Sequence, residues 1–296
     1  MATTYLAHPI TITAGSRLRT WIGRHPLLAF IVLTYGLTWP YMVVEALGSW
    51  NMIPFRLPFA LLIPMGYGPT FAALIVVGAL HGKAGIRALL RPLLIWRVGA
   101  GWYLMTLVGV GVLAGLTLAL YYIFGGPPLA RPPRSWMLLV NALALFLIGG
   151  VLNGEEIGWR GFALPYLQAR HSALVASLIV GVFWALFHLP LFFVNGDSFA
   201  NTPPLAFLAR MLASAVLFTW IFNNTRGSLL IAYLLHAAVN TWPRIVPIDA
   251  LVGPYAWLPS GVFCLAAVVV LVVYGPMRLS RAPVAELPVE GDGVTA

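Results

Sequence analysis

Residues 101–124, GWYLMTLVGVGVLAGLTLALYYIF, contain no charged side chain and no proline. A helix rises about 1.5 Å per residue, so roughly 20 apolar residues cross the ~30 Å hydrocarbon core of a bilayer. Only helices and closed barrels satisfy their backbone groups inside lipid, and this run lacks the alternation of a barrel strand. The stretch therefore predicts a transmembrane helix.

The remainder of the chain repeats this composition. Of its 296 residues, 60% are hydrophobic and only 8% are charged, whereas a soluble domain carries about 25% charged residues. A chain this poor in polar groups cannot cover a water-facing surface, so lipid is its expected solvent. Runs of spanning length occur at 27–46, 57–80, 101–124, 137–168, 172–194, 205–222, 227–247 and 257–275. We therefore predict an all-α, polytopic transmembrane helix bundle of about eight spans.

The basic residues indicate how the bundle is oriented. The net charge is +9, and most of the 17 basic side chains are arginines in short loops between apolar runs. This distribution is typical of membrane topology signals and lacks the clustered stripe of a nucleic-acid-binding protein. If the amino terminus is cytoplasmic, Arg56, Arg131, Arg134 and Arg244 fall outside, and the basic residues inside are Arg17, Arg19, Arg24, Lys83, Arg87, Arg91, Arg97, Arg170, Arg226, Arg278 and Arg281. We predict an integral protein of a prokaryotic plasma membrane with both termini cytoplasmic and no nucleic-acid partner.

Residues 82–97 differ from the spans. Lys83, Arg87 and Arg91 recur every fourth residue with apolar side chains between them, which predicts one interfacial amphipathic helix in the headgroup region. A solvated loop is the alternative. The chain then divides into a cytoplasmic amino-terminal segment (1–26), transmembrane helices that include the amphipathic helix (27–136), a core (137–247), a last transmembrane helix (248–275) and a disordered cytoplasmic tail (276–296).

The predicted fourth span contains an unusual concentration of charge, namely Glu155, Glu156 and Arg160. Each ionisable side chain within a span costs about 2.5–3.5 kcal/mol on insertion scales, so each is a candidate functional residue. Arg160 follows Glu156 by four residues, which places the two on one helical face in the favoured order for an ion pair. Glu155 is rotated by about 100° and faces another partner. The alternative is a buried ion-pair cluster that only joins helices.

Two later spans contribute histidines. His188 ends the segment WALFH, and His236 precedes Asn240 by four residues, so imidazole and amide share a helical face. Taken singly, His188 is typical of a packed core residue, and His236 and Asn240 are typical of interhelical hydrogen bonding. Glu155 lies about 15 residues before the turn near Arg170 and His188 about 18 after it, roughly 20–27 Å along their helices. The three spans can therefore bring these side chains to similar depth.

These pieces together resemble the CPBP family of intramembrane proteases, which includes the endopeptidase that trims prenylated CAAX termini. The family's Glu-Glu-x-x-x-Arg motif matches Glu155, Glu156 and Arg160, and its His-x-x-x-Asn motif matches His236 and Asn240. The stretch Asn-x-Thr-x-Gly-Ser before the last motif matches Asn223, Thr225, Gly227 and Ser228. In the Phe-x-x-x-His motif, His188 is present but Trp184 occupies the aromatic position. The resemblance identifies 137–247 as the catalytic core.

The resemblance implies proteolysis by an activated water. It implies that Glu155 is the general base, that His188 helps to hold the water, and that His236 and Asn240 stabilise the tetrahedral oxyanion. Glu156 and Arg160 are then a supporting pair that orients Glu155, and Trp184 supports His188. No cofactor is required in this interpretation, although Glu155, His188 and His236 are also a ligand set compatible with zinc.

The implied partners are the lipid bilayer and a peptide or protein substrate, which can be lipidated or membrane-bound.

Two other functions are compatible with buried charges. One is a non-catalytic membrane scaffold or immunity protein that retains the protease residues. The other is an ion- or proton-coupled transporter, which predicts inverted repeats or paired broken helices that the sequence does not display.

Overall fold

A computed structural model of the chain describes residues 17–57, 66–129 and 153–281, together with 137, 140, 143, 144, 146 and 147. Within these residues the chain is all-helical, as predicted. Its nine α-helices are α1 (Arg17–Arg24), α2 (Pro26–Ser49), α3 (Gly68–Leu90), α4 (Ala100–Ile123), α5 (Leu164–Gln168), α6 (Ala173–Phe187), α7 (Pro204–Asn224), α8 (Leu229–Ile245) and α9 (Leu258–Tyr274). A π-helix spans Ile157–Ala163, and short 3₁₀ segments cover Arg91–Leu94, Leu189–Phe193, Ser198–Asn201, Ile248–Ala250 and Gly253–Trp257.

Six helical segments of the described part are long and apolar enough to cross a membrane. They are Pro26–Ser49, Gly68–Leu94, Ala100–Ile123, Ala173–Phe193, Pro204–Asn224 and Gly253–Tyr274. The shorter helix α8 occupies the predicted span 227–247. The prediction of an integral membrane helix bundle is confirmed. Most of 137–152, the start of the span 57–80, the amino-terminal residues 1–16 and the tail from 282 onward lie outside the described residues.

The amphipathic segment 82–97 begins at a bend in α3. Gly82 has φ 60° and ψ −153°, values outside the helical region, and the helix resumes directly after it. The α-helical hydrogen bonding ends at Leu90, because Pro92 lacks the backbone N–H that would continue it, and a 3₁₀ turn follows to Leu94. The helix is therefore shorter than predicted, and its position at the membrane surface stays a prediction.

The predicted span 137–168 is not one continuous helix. Residues 153–155 are non-helical, and the chain then enters the π-helix before α5. Close packing against α3 is the physical reason, because a Cβ on Gly154 would lie 2.3 Å from the Tyr67 side chain and one on Gly158 would lie 2.5 Å from Pro69. The Thr70 hydroxyl donates to the Gly154 carbonyl at 2.5 Å, which satisfies a backbone group that an α-helix would have paired internally.

Helix α7 lies at the centre of the described bundle and α4 at its edge. In its most apolar window, 67% of the residues of α7 are buried, compared with 22% for α4. Helix α7 packs against both α6 and α9, while α3 packs against α2 and the π-helix. The π-helix, the end of α6 and the middle of α8 consequently enclose one polar region between them.

Candidate active site

Glu156 and Arg160 form the most deeply buried polar pair of the described residues. Both are 0% exposed, and Arg160 Nη1 donates to Glu156 Oε1 at 3.0 Å. The same carboxylate oxygen is 2.6 Å from His236 Nδ1 on α8. Glu156 therefore connects the π-helix to α8, and its Oε1 atom is shared between two cationic or potentially cationic groups.

The Arg160 guanidinium lies between two aromatic rings. Its Cζ atom is 4.1 Å from the Trp184 ring centre and 4.0 Å from that of Phe218. Contacts of this kind attract a cation electrostatically when water is excluded. They replace solvent on both faces of a group whose Nε and Nη2 atoms have no hydrogen-bond partner within the described part of the chain. Trp184 and Phe218 thus hold Arg160 in the position that fixes Glu156.

Glu155 has a different set of partners from its neighbour. Its Oε2 atom accepts hydrogen bonds from Trp184 Nε1 at 2.6 Å and from Trp159 Nε1 at 3.2 Å. Indole nitrogens only donate, so they stabilise the carboxylate without exchanging a proton with it. The Oε1 atom faces His236 Nε2 at 4.0 Å, a separation that one water placed about 2.8 Å from each atom could bridge.

His188 lies where α6 ends. The α-helix stops at Phe187 and a 3₁₀ segment follows, since Pro190 has no N–H to extend the α-helical pattern. His188 Nδ1 is 2.8 Å from the Trp184 carbonyl oxygen, which can only accept, so Nδ1 carries the proton and Nε2 keeps a lone pair in the neutral ring. The ring stacks on Phe199, with centroids 5.6 Å apart.

His236 and Asn240 lie one turn apart on α8. His236 is 4% exposed, and its Nδ1 contact with Glu156 directs Nε2 toward Glu155. Asn240 is half-buried, and its backbone carbonyl accepts a hydrogen bond from Arg244. The structure thus joins Glu155, Glu156, Arg160, Trp184 and His236 by direct contacts and links His188 to them through Trp184. Asn240 is placed one turn further along the helix.

Glu155, His188 and His236 are the residues proposed as possible zinc ligands. Among the residues that the structure describes, no three His, Cys, Asp or Glu side chains converge as metal ligands. Zinc requires ligand distances of about 2.0–2.2 Å for nitrogen and oxygen, and Glu155 Oε2 is already occupied by two indole donors.

Two contributors to this site were not singled out from the sequence. Trp159 is 0% exposed and donates to Glu155, and Phe218 forms one wall of the Arg160 cage. The four-residue spacing from Glu155 to Trp159 is a signal that could have identified the first. Phe218 lies in a uniformly apolar span, where nothing distinguishes it from its neighbours. Trp184 was expected only as aromatic support for His188, yet it also donates to Glu155 and covers Arg160.

The region that contains this arrangement is similar to known proteins. Residues 135–242 match the family described as Type II CAAX prenyl endopeptidase Rce1-like. The chain is also similar to CAAX prenyl protease 2 of Methanococcus maripaludis, with 33% identity over 134 residues that cover 43% of this chain. The chain spans about half the length of that curated relative, 48% of it. The matched region contains every residue of the site described above.

Proposed function

We propose that the protein is an intramembrane endopeptidase of the CPBP family. The proposal is supported by the match of residues 135–242 to a family of CAAX prenyl endopeptidases and by the similarity to a CAAX prenyl protease. The observation that carries the proposal is the contrast between two adjacent buried carboxylates. Glu156 is neutralised by Arg160 and contacts His236, whereas Glu155 is held by two neutral donors on one oxygen only. Glu155 thus keeps its Oε1 atom oriented toward His236 Nε2, 4.0 Å away.

In the proposed reaction, Glu155 Oε1 removes a proton from a water molecule, and the water oxygen attacks the carbonyl carbon of the scissile peptide bond. The lone pair of His188 Nε2 accepts the second hydrogen of the same water and orients it. When the tetrahedral intermediate collapses, the C–N bond breaks and Glu155 returns its proton to the leaving amine. A positioned general base of this kind contributes about 10²–10⁴-fold in rate.

The developing oxyanion requires donors, and His236 supplies one from Nε2 when its ring is doubly protonated. Charge balance supports that state, because Glu155 and Glu156 together carry two negative charges and Arg160 carries one positive charge. A second positive charge on His236 makes the buried group neutral, which lowers its cost in a medium of low dielectric constant. The Asn240 amide is proposed as the second donor. Each donor of this type is worth ~3–4 kcal/mol in the transition state.

The substrate is proposed to be a peptide segment presented at the membrane, either lipidated or membrane-anchored. The relative's name refers to a CAAX prenyl substrate, and the half-buried position of His188 and Asn240 near helix ends is compatible with an extended chain terminus entering from the membrane surface. Recognition of a prenyl group is the part of this proposal that requires a direct substrate test.

The substitution Glu155→Gln tests the function while preserving size and hydrogen-bond geometry. Membrane peptides from cells producing wild-type protein should include cleavage products that are absent with Glu155→Gln at equal protein abundance. A purified enzyme assay on the identified peptide should lose at least about 10²-fold in rate. Identical peptide profiles, or a cellular phenotype that survives Glu155→Gln, would indicate the non-catalytic scaffold instead.

Incubation of the purified enzyme with a strong chelator, followed by addition of zinc, distinguishes a metal-free reaction from a zinc-dependent one. We expect cleavage to persist in the chelator. Loss of cleavage that zinc restores would contradict the metal-free reaction.

A further inference from the structure

A second polar region lies at the opposite end of the bundle from His188 and Asn240. It is a cavity of about 690 Å³ lined by the end of α3, by the segment that connects α3 to α4 and by the turn between α7 and α8. Four arginines line it, Arg87, Arg91, Arg97 and Arg226, and Trp96 lies among them. We propose that this arginine cavity binds the phosphate of one anionic phospholipid.

The four guanidinium groups have no acidic partner in the described part of the chain. The ion pairs found there involve Glu45, Glu155, Glu156 and Asp249 with other residues, and none includes an arginine of the cavity. Arg87 and Arg91 are four residues apart on one helical face, a placement of like charges that destabilises a helix slightly. A bound anion would remove this repulsion and supply the missing countercharge.

The wall of the cavity is held by hydrogen bonds that leave guanidinium donors available. The Ser228 hydroxyl donates to the Ile95 carbonyl at 2.6 Å, and Arg226 donates to the Arg97 carbonyl. These bonds fix the segment after the 3₁₀ turn against the turn between α7 and α8. Each guanidinium has five N–H donors in a planar fork, a geometry that matches phosphate oxygens.

Arg226 occupies a backbone conformation that favours glycine. Its φ is 58°, in the left-handed region that is unfavourable for a residue with a Cβ atom. Glycine at this position would relieve the strain, yet the chain carries an arginine whose side chain reaches the cavity. This conformation places Arg226 in the turn between α7 and α8, where its side chain lines the cavity beside Arg97.

A lipid, rather than a soluble anion, fits the surroundings of the cavity. Leu94 is 77% exposed and Trp96 is 57% exposed beside the arginines. The location is the end of a helix long and apolar enough to span a bilayer, where lipid headgroups lie and where tryptophan is enriched. An acyl chain can follow the exposed apolar side chains while its phosphate reaches the arginines. This inference is independent of proteolysis.

The test measures lipid binding to the full-length protein purified in detergent, by native mass spectrometry with phosphatidylglycerol and with phosphatidylcholine. We expect one saturable phosphatidylglycerol molecule and no comparable site for phosphatidylcholine. The double variant Arg87→Gln/Arg91→Gln should weaken binding about 30-fold, at ~1 kcal/mol per arginine. The control Arg170→Gln/Arg278→Gln removes the same charge from the same end of the bundle without touching the cavity, and should leave binding unchanged.

Three outcomes would overturn the proposal. Equal weakening by the test and control variants would show that general positive charge, and not the cavity, attracts the lipid. Equal binding of phosphatidylcholine would remove the role of the anionic headgroup. Displacement of the lipid by inorganic phosphate at millimolar concentration would identify a soluble phosphate compound as the ligand. Melting curves of both double variants, compared with that of the wild-type protein, show whether any loss of binding arises from unfolding.

Discussion

At the scale of single residues, the site separates two chemically identical neighbours by their surroundings. Glu156 is paired with a buried guanidinium, while Glu155 meets only indole donors and the distant Nε2 atom of His236. Trp184 is central to this separation, because its backbone carbonyl orients His188, its indole N–H holds Glu155 and its ring covers Arg160. Trp184 thus contacts three residues with different proposed roles, namely His188, Glu155 and Arg160.

The substitution Trp184→Phe tests this role, because it keeps an aromatic ring and the backbone carbonyl but removes the 2.6 Å hydrogen bond to Glu155. A hydrogen bond to a charged group is worth about 1.5–3 kcal/mol, so we expect kcat for peptide cleavage to fall by about 10–100-fold. Trp159→Phe removes the longer, 3.2 Å bond and should have a smaller effect. Equal rates for Trp184→Phe and wild type would show that the bond does not position the base.

At the scale of elements, two irregular segments place the site. Helix α6 ends directly before His188, because Pro190 has no N–H to extend it, and glycines let the start of the π-helix press against α3. π-Helical turns are rare and are frequently found at functional sites, because the extra residue in the turn changes which side chains share a face. Here Trp159 and Arg160, adjacent in sequence, each lie four residues after the carboxylate that they contact, Glu155 and Glu156 respectively.

The substitution Gly158→Ala tests the close contact of the π-helix with α3. The added Cβ would lie 2.5 Å from the Pro69 carbonyl oxygen, a backbone atom that cannot rotate away. We expect a lower melting temperature and loss of cleavage, in line with overpacking costs of about 1–3 kcal/mol. Gly115→Ala on α4 is the matched control, since nothing lies within 4 Å of its Cβ position. Its melting temperature should equal or slightly exceed that of wild type, and equal melting of both variants would contradict the packing argument.

At the scale of the whole molecule, the two polar regions occupy opposite ends of the bundle. His188 and Asn240 lie toward the ends of α6 and α8, whereas the arginine cavity lies where α8 begins. If the arginine-rich end faces the cytoplasm, the end of the site at His188 and Asn240 is the one nearer the extracytoplasmic surface. Orientation therefore determines from which side a substrate approaches.

Labelling of single cysteines checks the orientation. The only native cysteine is Cys264, so Cys264→Ala provides a cysteine-free background. In it, Asn195→Cys should react with a membrane-impermeant maleimide in intact cells, whereas His171→Cys should react only after permeabilisation. Both native side chains are exposed, in the segments that follow α6 and α5 respectively. Labelling of His171→Cys in intact cells, with Asn195→Cys reacting only after permeabilisation, would contradict cytoplasmic termini. It would also mean that His188 and Asn240 lie toward the cytoplasmic surface.

Much of this protein follows from local sequence properties. Low charge and long apolar runs determine membrane helices, because hydrocarbon excludes unpaired polar groups regardless of what lies next to them. The spacing from Glu156 to Arg160 predicts their pairing for a similar reason, since one helical turn separates them in either an α- or a closely related helix. Candidate site residues could be selected because ionisable groups within spans are costly.

Other features depended on contacts between distant segments. The break at 153–155, the π-helix and the indole donors to Glu155 arise where α3 and α6 pack against the motif, and no local pattern specifies that packing. The direction of each histidine was likewise decided by its Nδ1 partner, the Trp184 carbonyl for His188 and Glu156 for His236. The sequence alone determined which ionisable residues lie within membrane spans, where their burial is energetically costly. The tertiary structure decided which oxygen and nitrogen atoms face one another, because hydrogen-bond direction depends on the relative placement of whole helices.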